Sequence, residues 1–537
     1  MNLLIIYDGN ENLGDQESEY SYSLGLGEVK NSRVLSTAEK LNDIALKLRD
    51  EYSDYIYTIN DLYLENKLIF DNKLSLYFIS DLSNKRSEIF DTYATLCHIV
   101  LLRDYIKENN ISKVRFINCE SRFVGSFKST VDIAIEEVHS VIFKNVSRYF
   151  LSQAKFFFQY FFVLLYIKLI YSENTPKKAG SFFLSRYPLH FDKNFKEEKY
   201  GALVRKSDWL LLSILTDGMH QGLSLSGVLK AIKDLSKISK EKNVILLDKE
   251  VKFSDLIRHY LYSLRLFNSF RRLNKHKYIF KGIDISNYII DELNQSILRI
   301  PRLTLYKNSL RAVFAKTKVN KFYYYLHEYS YGRFFTYILS QYCPTVKRIG
   351  FQHGPASMRK MLYFLSRNEV SYHSTNYKYY LPMPNVVLAE DEQSVGVYKA
   401  ANYKYVHVME KVNRLTYLNG IKRNNVEKNS ILVACGLHDG DYVFNVLKDE
   451  MRDRQDKKYY FKLHPRSSKE GVSLSIVNSG LTNVNLSDGH IEKYLDLVNE
   501  VIFTYSSVGM EAYKLGIKVR MISLPGKINE SPLLDKH

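Results

Sequence analysis

The sequence of 537 residues contains few cysteines and no cysteine pair with metal-ligand spacing. Its four cysteines, Cys97, Cys119, Cys343 and Cys435, are scattered along the chain. That distribution argues against a disulfide framework or a structural zinc site, and it suits a reducing compartment. Proline (10) and glycine (24) are too scarce for a fibrous or disordered chain, and tryptophan occurs once.

The chain also lacks the pattern of a signal peptide. The first residues, MNLLIIYDGN, carry no basic region ahead of a short apolar run, so we expect a first strand ending in a polar turn and a cytoplasmic protein. No internal repeat and no low-complexity tract is present. Because 537 residues exceed the size at which single cores stop growing, we expect two or three domains.

Acidic residues are fewer than basic ones. Lysine and arginine total 76 against 58 aspartates and glutamates, a surplus of 18 positive charges. Such a surplus raises the local concentration of anionic partners, including phosphate-bearing ligands and anionic lipid surfaces. The chain has no aromatic stripe typical of RNA-binding domains, no zinc finger and no concentrated basic arm, so we expect no nucleic-acid partner.

Strand-like apolar runs alternate with helical patterns through most of the chain, which predicts an α/β fold with parallel sheets. We divide the chain into an N-terminal α/β region, a hydrophobic helix, a second α/β region, and a C-terminal block that has the parts of a compact nucleotide-binding domain. These regions cover residues 1–147, 148–178, 179–384 and 385–537.

The segment 148–178 interrupts the pattern of a soluble protein. Its charge-free core runs only from Phe156 to Ile167, whereas a spanning helix needs ~20 apolar residues. Many aromatic residues and basic flanks favour a membrane-associating helix that lies in the interface. A buried core helix between two domains is the alternative.

A first candidate site follows the predicted strand KYYFKLHP. Ligands of open α/β sheets bind beyond the carboxyl ends of the strands. Lys462 and His464 leave the strand at that end and can donate to phosphate oxygens, while Pro465 fixes the loop and Arg466 adds a donor. The alternative is a solvated loop with a packed histidine.

A second candidate, TYSSVGMEA, follows the strand EVIF and opens a helix. Ser506 and Ser507 at a helix start leave free backbone N–H groups for an anion, and Glu511 one turn later can accept from a ribose hydroxyl. Simple helix capping is the alternative. The pairing with the histidine motif favours phosphate binding.

Two further candidates precede the C-terminal domain. In FQHGP the turn at Gly354 holds His353 at a strand end, and Gln352 can orient the imidazole or a sugar hydroxyl. Glu328, at the end of the strand KFYYYLHE, can act as a general base toward an acceptor hydroxyl. A helix cap or an ion pair with Arg333 explains Glu328 equally well.

The turn LHDGD follows the strand ILVACG at the start of the C-terminal domain. Asp439 and Gly440 in this turn can meet the nucleotide base or the transferred sugar. The alternative is that Asp439 or Asp441 serves as the N-cap of the next helix.

The motifs FQHG, KLHP and YSSVGMEA, in this order, resemble those of two related groups of bacterial enzymes that build surface polysaccharides. One group is the capsule and lipopolysaccharide transferases that use CMP-Kdo or CMP-sialic acid, with HP and Ser-Ser motifs. The other is the CDP-glycerol polymerases of teichoic acid synthesis, with HG, HP and tyrosine-serine-serine motifs. The stretches LYFISDLSNKRSEIFDTYATLCHIVLLRDYI and YYYLHEYSYGRFF are similar to surface-carbohydrate biosynthesis proteins from polysaccharide gene clusters.

This resemblance implies a GT-B-like fold, with two Rossmann-type lobes facing a cleft, and a glycosyltransferase that needs no metal. It assigns His353 or Glu328 to acid/base catalysis. It assigns the nucleotide phosphate and cytidine ribose to His464, Pro465, Ser506 and Ser507. The chain departs from sialyltransferases in one motif, because His438-Asp439-Gly440 stands where those enzymes have two acidic residues before the glycine.

We therefore expect transfer of a sugar from a CMP-linked, Kdo- or nonulosonate-like donor to a lipid-linked surface polysaccharide acceptor. The enzyme would lie peripherally on the inner face of the cytoplasmic membrane. No convincing DxD-type pair is present, and no metal or other cofactor is expected. Two alternatives stay open, namely transfer of glycerol- or ribitol-phosphate from a CDP donor, and a non-catalytic role in a polysaccharide assembly complex.

Overall fold

Three parallel β-sheets with the same strand order organise the protein. The computed structural model describes residues 2–10, 13, 14, 16, 18–30, 32–35, 38–138, 148–172, 180–192, 194–213, 225–240, 242–326, 329–352, 354–410, 413–465 and 467–536. In each sheet the first strand of the unit lies between the second and the fourth. The strand order therefore reverses between the first and the fourth strand. A crevice forms outside the carboxyl ends of these two strands.

The first sheet has five strands in the order β3-β2-β1-β6-β7. They are β1 (Leu3–Tyr7), β2 (Tyr20–Ser23), β3 (Arg33–Val34), β6 (Lys113–Ile117) and β7 (Ala134–Val138). A short hairpin, β4 (Ile69–Phe70) with β5 (Leu74–Ser75), lies outside the sheet. The helices are α1 (Ala38–Glu65), α2 (Asp81–Asn84), α3 (Thr92–Glu108) and α4 (Ser121–Lys128). The run of fully buried residues in β1 reflects coverage of both faces of the sheet by helices.

Helix α5 (Arg148–Ile170) follows and packs on the central part of the chain. The central sheet has seven strands in the order β10-β9-β8-β13-β14-β15-β16. They are β8 (Gly180–Arg186), β9 (Trp209–Ser213), β10 (Val244–Leu246), β13 (Val319–Tyr325), β14 (Lys347–Phe351), β15 (Val386–Ala389) and β16 (Val406–Val408). A second hairpin joins β11 (Ile279–Phe280) to β12 (Ile283–Asp284). The helices are α6 (Leu225–Ile238), α7 (Phe253–Leu273), α8 (Ser286–Thr304), α9 (Tyr306–Lys316), α10 (Tyr329–Tyr342) and α11 (Glu392–Ala400).

The third sheet has five strands in the order β19-β18-β17-β20-β21. They are β17 (Ser430–Ala434), β18 (Lys458–Lys462), β19 (Val484–Leu486), β20 (Glu500–Phe503) and β21 (Lys518–Met521). The helices are α12 (Gly440–Asp453), α13 (Glu470–Ser479), α14 (Ile491–Leu497) and α15 (Val508–Lys514).

The hydrophobic cores divide the molecule into two lobes. One continuous core joins the first and central sheets, whereas the third sheet has its own cores. The expected α/β class, with Rossmann-type lobes around a cleft and one long apolar helix, is confirmed. The larger lobe contains two sheets, because β1 and β8 each begin a separate set of parallel pairs.

Two details of the sequence interpretation need correction. The C-terminal domain was expected to begin at residue 385, but β15 pairs with β14 and β16 pairs with β15, so residues 386–408 extend the central sheet. A buried parallel strand fits either neighbouring sheet, and its apolar pattern does not show which one. The apolar run LSLYFI (74–79) also predicts a strand, but only Leu74–Ser75 pairs, and Leu76–Ile79 is a 3-10 helix capped by the hydroxyl of Ser75.

The C-terminal segment, residues 522–536 after β21, returns from the third sheet to the larger lobe. The imidazole Nε2 of His98 lies 3.1 Å from the carbonyl oxygen of Gly526, and Arg359 forms a 2.6 Å ion pair with Asp535. Lys514 on α15 also contacts Asp391, at the start of α11, at 2.9 Å. These contacts fix the C-terminal lobe against the rest of the protein.

Candidate functional site

A cleft of about 440 Å³ lies between the carboxyl edges of the first and third sheets, at the point in each sheet where the strand order reverses. Asp8 follows β1 and Glu120 follows β6, so the first sheet supplies one wall. Gly436 follows β17 and Thr504 follows β20, so the third sheet supplies the opposite wall. Helix α3 and the C-terminal segment complete the lining. The volume falls in the range of small-molecule and cofactor sites, and the position is the one where open α/β sheets bind ligands.

Asp439 ties the two central strands of the third sheet together at the wall of this cleft. Its Oδ2 accepts hydrogen bonds from the hydroxyl of Thr504 (2.6 Å) and from the backbone N–H of Gly436 (3.0 Å). Burial raises the pKa of Asp439, while those hydrogen bonds and the nearby His464 pull it down. Asp439 is only 2% exposed, and its Oδ1 is buried without a hydrogen-bond partner among the described residues. A buried carboxylate oxygen in this state is costly unless a ligand or water completes its hydrogen bonding.

Gly436 is required for this arrangement. A Cβ atom at position 436 would lie 2.8 Å from Oδ2 of Asp439 and 3.1 Å from Oγ1 of Thr504. The first distance is one that real Cβ atoms essentially never show, so the absence of a side chain allows the carboxylate to approach the backbone.

The first sheet contributes a carboxylate-rich wall. Burial raises the pKa of Asp8, Lys527 lowers it, and the neighbouring Glu120 and Asp91 raise it. Glu120 accepts a short hydrogen bond from Arg122, which also lies 3.7 Å from Asp91. Asp8 therefore faces the cleft beside carboxylates that an arginine partly neutralises, with Lys527 as a nearby cation.

His98 forms part of the floor in its neutral state. Burial lowers its pKa to about 4, so the imidazole is uncharged at neutral pH. The carbonyl oxygen of Gly526 can only accept, so Nε2 donates to it, and Nδ1 accepts from the phenol of Tyr22 at 2.8 Å. Both ring nitrogens serve the fold, which gives His98 an anchoring role.

The residues of the histidine motif lie at the same edge of the third sheet but do not line the cleft. Lys462 donates from Nζ to the carbonyl oxygen of Gly489 at 2.6 Å. His464 lies close enough to Asp439 for its charge to lower the pKa of that carboxyl. Pro465 is exposed, and Arg466 lies outside the described residues. Among the predicted phosphate-binding residues of this motif, His464 therefore lies near a residue of the cleft wall, Asp439.

The serine motif shows partial capping. The hydroxyl of Ser506 accepts from the backbone N–H of Val508 at 3.3 Å, whereas Ser507 occupies the N-cap position of α15 without a side-chain cap bond. Glu511 is buried and accepts a 2.6 Å hydrogen bond from the phenol of Tyr417. One of its carboxylate oxygens is therefore already engaged within the lobe.

Asp439 was expected either to contact the ligand or to cap helix α12, and its side chain does not cap the helix. Asp439 occupies the N-cap position of α12, but its side chain makes no cap hydrogen bond and turns toward Thr504 instead. A Cβ at Gly440 would lie 2.8 Å from Leu463 and 2.9 Å from Val472, so this glycine allows close packing of the helix start.

Gln352 and Gly354 follow β14 at the carboxyl edge of the central sheet. Gln352 is buried, donates to the carbonyl oxygen of Gly354 at 2.8 Å, and accepts from the backbone N–H of Glu390 at 2.9 Å. Gly354 has a φ of 91°, as expected for the predicted tight turn. Glu328 and His353, the expected acid/base groups, lie outside the described residues.

Several cleft residues were missed from the sequence. Asp8 follows the first predicted strand directly, and Thr504 adjoins the serine motif, so both carried a positional signal. Lys527 and Glu530 come from the C-terminal segment, where no motif marks them. In the part of the chain that the structure describes, no group of three or more histidine, cysteine or acidic side chains is placed to hold a metal ion.

Comparison with known proteins gives distant structural likenesses. No protein-family model matches the chain, and no curated protein matches it. Among solved structures, a UDP-N-acetylglucosamine 2-epimerase from Rickettsia bellii is 10% identical with a TM-score of 0.33, covering 67% of this chain and 86% of that one. The wall teichoic acid polymerase TagF is 11% identical with a TM-score of 0.26, covering 69% of this chain and 77% of that one. Likeness at this level assigns no activity, which has to be argued from this chain's own residues.

Proposed function

We propose that the protein is a GT-B-type glycosyltransferase that transfers a sugar from a nucleotide-activated donor, CMP-linked by motif resemblance, to a lipid-linked glycan acceptor. The observation that carries this proposal is the buried carboxylate of Asp439. Its Oδ1 has no hydrogen-bond partner among the described residues, and it lines a cleft between two Rossmann-type sheets. A hydroxyl of the donor would supply the missing hydrogen bond.

The charge of the cleft supports a hydroxyl-rich ligand. Five carboxylates line it, against the cations of Arg359 and Lys527, and Arg359 is already paired with Asp535. The five are Asp8, Asp91, Glu120, Asp439 and Glu530. Ionised carboxylates only accept hydrogen bonds, so they suit the hydroxyl groups of a sugar or a ribose. The phosphate would lie toward His464, Lys462 and the serine motif, at the outer edge of the third sheet.

The proposed chemistry needs a base and a stabilised leaving group. The base takes the proton of an acceptor hydroxyl as its oxygen attacks the anomeric carbon. The bond between that carbon and the phosphate oxygen breaks, and its electron pair leaves with the nucleotide. Glu328 is the preferred base and His353 the second choice. Asp8 is a further candidate, because its raised pKa makes its carboxylate a stronger base than a free aspartate. His464 would stabilise the leaving phosphate.

Nucleotide-dependent stabilisation tests the proposal. A ligand that binds only the native state raises the unfolding free energy by ~2.7 kcal/mol at a concentration of 100 Kd. We expect cytidine nucleotides to raise the melting temperature of the wild-type protein more than uridine, guanosine or adenosine nucleotides. Asp439→Asn should lose most of this shift, measured against its own ligand-free baseline.

Asp449→Asn is the matched control, because Asp449 lies on the same helix α12 with an exposed side chain. This variant should keep the full shift. The absence of any nucleotide shift in the wild type, or an undiminished shift in Asp439→Asn, would contradict the proposal. A wild type without a nucleotide response would favour a non-catalytic role in a polysaccharide assembly complex.

A product assay separates sugar transfer from the CDP-polyol alternative. If the protein transfers a sugar, the acceptor gains mass without phosphorus, and His464→Ala lowers the rate while leaving the fold intact. If the protein transfers glycerol- or ribitol-phosphate, each added unit carries one phosphorus atom. Phosphorus analysis of the washed product therefore distinguishes the two reactions.

A further inference from the structure

One side of helix α5 is fixed to the protein by buried polar contacts. Tyr160 donates from its phenol to Oδ1 of Asp248 at 2.7 Å, and Tyr149 donates to the carbonyl oxygen of Ser263 at 2.8 Å. Gln153 donates to a carbonyl oxygen of α8 at 3.3 Å. This side of α5 belongs to the core, because its residues are buried, namely Tyr149, Gln153, Phe156, Tyr160, Val163, Leu164 and Ile167.

The opposite side of α5 is exposed and, apart from Lys155, apolar. Leu151, Phe158, Phe162, Leu165 and Leu169 follow one another at intervals of seven, four, three and four residues, which places them on one face of the helix. Leu151 is 72% exposed, Phe158 61% and Leu169 76%. Over the 18 residue steps from 151 to 169 this stripe is about 27 Å long.

Helix α7 extends the apolar surface. It packs beside α5 through ring contacts, including Phe157 with Tyr260 at 5.2 Å and Phe161 with Phe253 at 5.2 Å. Its residues Ile257 and Leu261, next to those contacts, are each about half exposed. Two neighbouring helices therefore present one continuous apolar surface, which we name the α5–α7 surface.

Basic side chains border the α5–α7 surface on both sides. Helix α6 packs against α5 and carries three exposed lysines at helical spacing, Lys230, Lys233 and Lys237, and the exposed Lys240 follows in the turn after the helix. On the far side of α7 from α5, Arg258 and Arg265 are exposed. An apolar strip between two basic rows is the pattern of a helix that lies in a membrane interface, with lysine and arginine near anionic headgroups.

We infer that the α5–α7 surface docks in the plane of an anionic lipid bilayer, with α5 half embedded. A spanning orientation would place Asp248 and the polar contacts of Tyr149 and Gln153 in hydrocarbon, where unsatisfied polar groups are costly. A second copy of the chain would bring like-charged rows together, which disfavours self-association through this face. The exposed aromatic and leucine side chains would enter the boundary between headgroups and acyl chains.

Vesicle sedimentation tests this inference on the full chain, without nucleotide or acceptor. The result is therefore independent of the sugar-transfer proposal. We expect the wild type to bind vesicles of phosphatidylcholine mixed with phosphatidylglycerol, and to bind pure phosphatidylcholine vesicles much more weakly. Phe158→Ser/Phe162→Ser should lower the partition coefficient by roughly tenfold or more, because two aromatic side chains no longer enter the apolar part of the interface. Lys233→Glu/Lys237→Glu should remove the preference for the anionic lipid.

The control is Leu474→Ser/Val477→Ser on α13. These side chains are 61% and 73% exposed, so the substitution removes a similar apolar area from a different face. It should leave vesicle binding unchanged. All variants should melt within a few degrees of the wild type, since each replaces solvent-exposed side chains.

Four results would overturn the inference. The first is failure of the wild type to bind the anionic vesicles. The second is equal loss of binding in the α13 control. The third is a wild-type dimer in light scattering that Phe158→Ser/Phe162→Ser converts to a monomer without a change in vesicle binding. Retention in membranes after an alkaline wash would indicate a spanning helix and contradict the in-plane arrangement.

Discussion

The hydroxyl of Thr504 donates a 2.6 Å hydrogen bond to the carboxylate of Asp439, and both residues are buried. Thr504 follows β20 and Asp439 follows β17, which are neighbouring parallel strands. The contact closes the carboxyl end of the third sheet at the point where the strand order reverses. It also turns Asp439 toward the cleft and away from the backbone of α12.

Loss of the threonine hydroxyl should destabilise the C-terminal lobe. Thr504→Val leaves the buried carboxylate with one donor fewer, and we expect a decrease of roughly 1–3 kcal/mol in the free energy of unfolding. Thr504→Ser keeps the hydroxyl and should lose less. Urea denaturation of the two variants measures the difference. Equal stability of Thr504→Val and Thr504→Ser would show that the hydrogen bond contributes nothing.

A methyl group at position 436 should disrupt the same contact from the other side. The Cβ of Gly436→Ala would collide with the carboxylate of Asp439, so the loop must shift and the nucleotide-dependent melting shift should fall. Gly396→Ala is the control, because Gly396 lies within α11 with open space around its Cβ position. That variant should be as stable as the wild type, or up to about 1 kcal/mol more stable. If Gly436→Ala behaves like Gly396→Ala, the collision does not constrain the site.

The order of strands and helices in the third sheet could be predicted from the sequence. The runs ILVAC, KYYFK and EVIF are each followed by a polar turn and a helical pattern, and they form β17, β18 and β20. Since parallel strands share one carboxyl edge, His464 after β18 and Ser506 after β20 lie at the same edge of the sheet. Which of their neighbours would enter the cleft depends on side-chain direction, which periodicity does not give.

The opposite wall of the cleft could not be predicted in this way. Asp8 and Asp439 belong to different sheets, and their common cleft results from the packing of two lobes. No local propensity encodes such a long-range relation. Helix α5 shows a related limit, because its buried Tyr160 and its exposed Phe158 come from one continuous aromatic run. Composition alone allowed either a core helix or an interfacial helix, and the structure assigns one face to the core and leaves the other exposed.

The ion pair between Arg359 and Asp535 should be essential to the attachment of the C-terminal segment. Both side chains are almost fully buried, and the other oxygen of Asp535 accepts from the backbone N–H of Met358 at 2.8 Å. Arg359→Met leaves a buried carboxylate without its cation, and we expect a loss of about 3–5 kcal/mol in unfolding free energy.

The double variant Arg359→Met/Asp535→Asn removes both charges but keeps an acceptor for the N–H of Met358. It should be more stable than Arg359→Met alone, because no unpaired charge stays buried. Chemical denaturation of the two single variants and the double variant completes a thermodynamic cycle. A double variant that is less stable than either single variant would contradict the electrostatic explanation.

Glu292 on α8 lies at the contact between the first and central sheets. The hydroxyl of Thr92 donates to its Oε1 at 2.5 Å, and its Oε2 has no hydrogen-bond partner among the described residues. Burial raises the pKa of Glu292 to about 8, with a further increase from Asp81 and opposing effects of Thr92 and Lys85. The folded protein therefore keeps this carboxyl protonated at neutral pH.

This raised pKa predicts a stability loss as pH rises. Below pH 4.5, the usual pKa of glutamate, the group is protonated in both states and contributes no pH dependence. Between that value and a pH of about 8 the unfolded chain loses the proton while the folded protein keeps it, so each pH unit costs the folded state up to roughly 1.4 kcal/mol. Glu292→Gln removes this contribution, so the unfolding free energy of Glu292→Gln relative to wild type should rise from about pH 5 to about pH 7. Glu65→Gln, at an exposed position on the last turn of α1, should follow the wild-type profile. Urea titrations at both pH values measure the difference, and parallel profiles for Glu292→Gln and wild type would mean that Glu292 ionises normally in the folded protein.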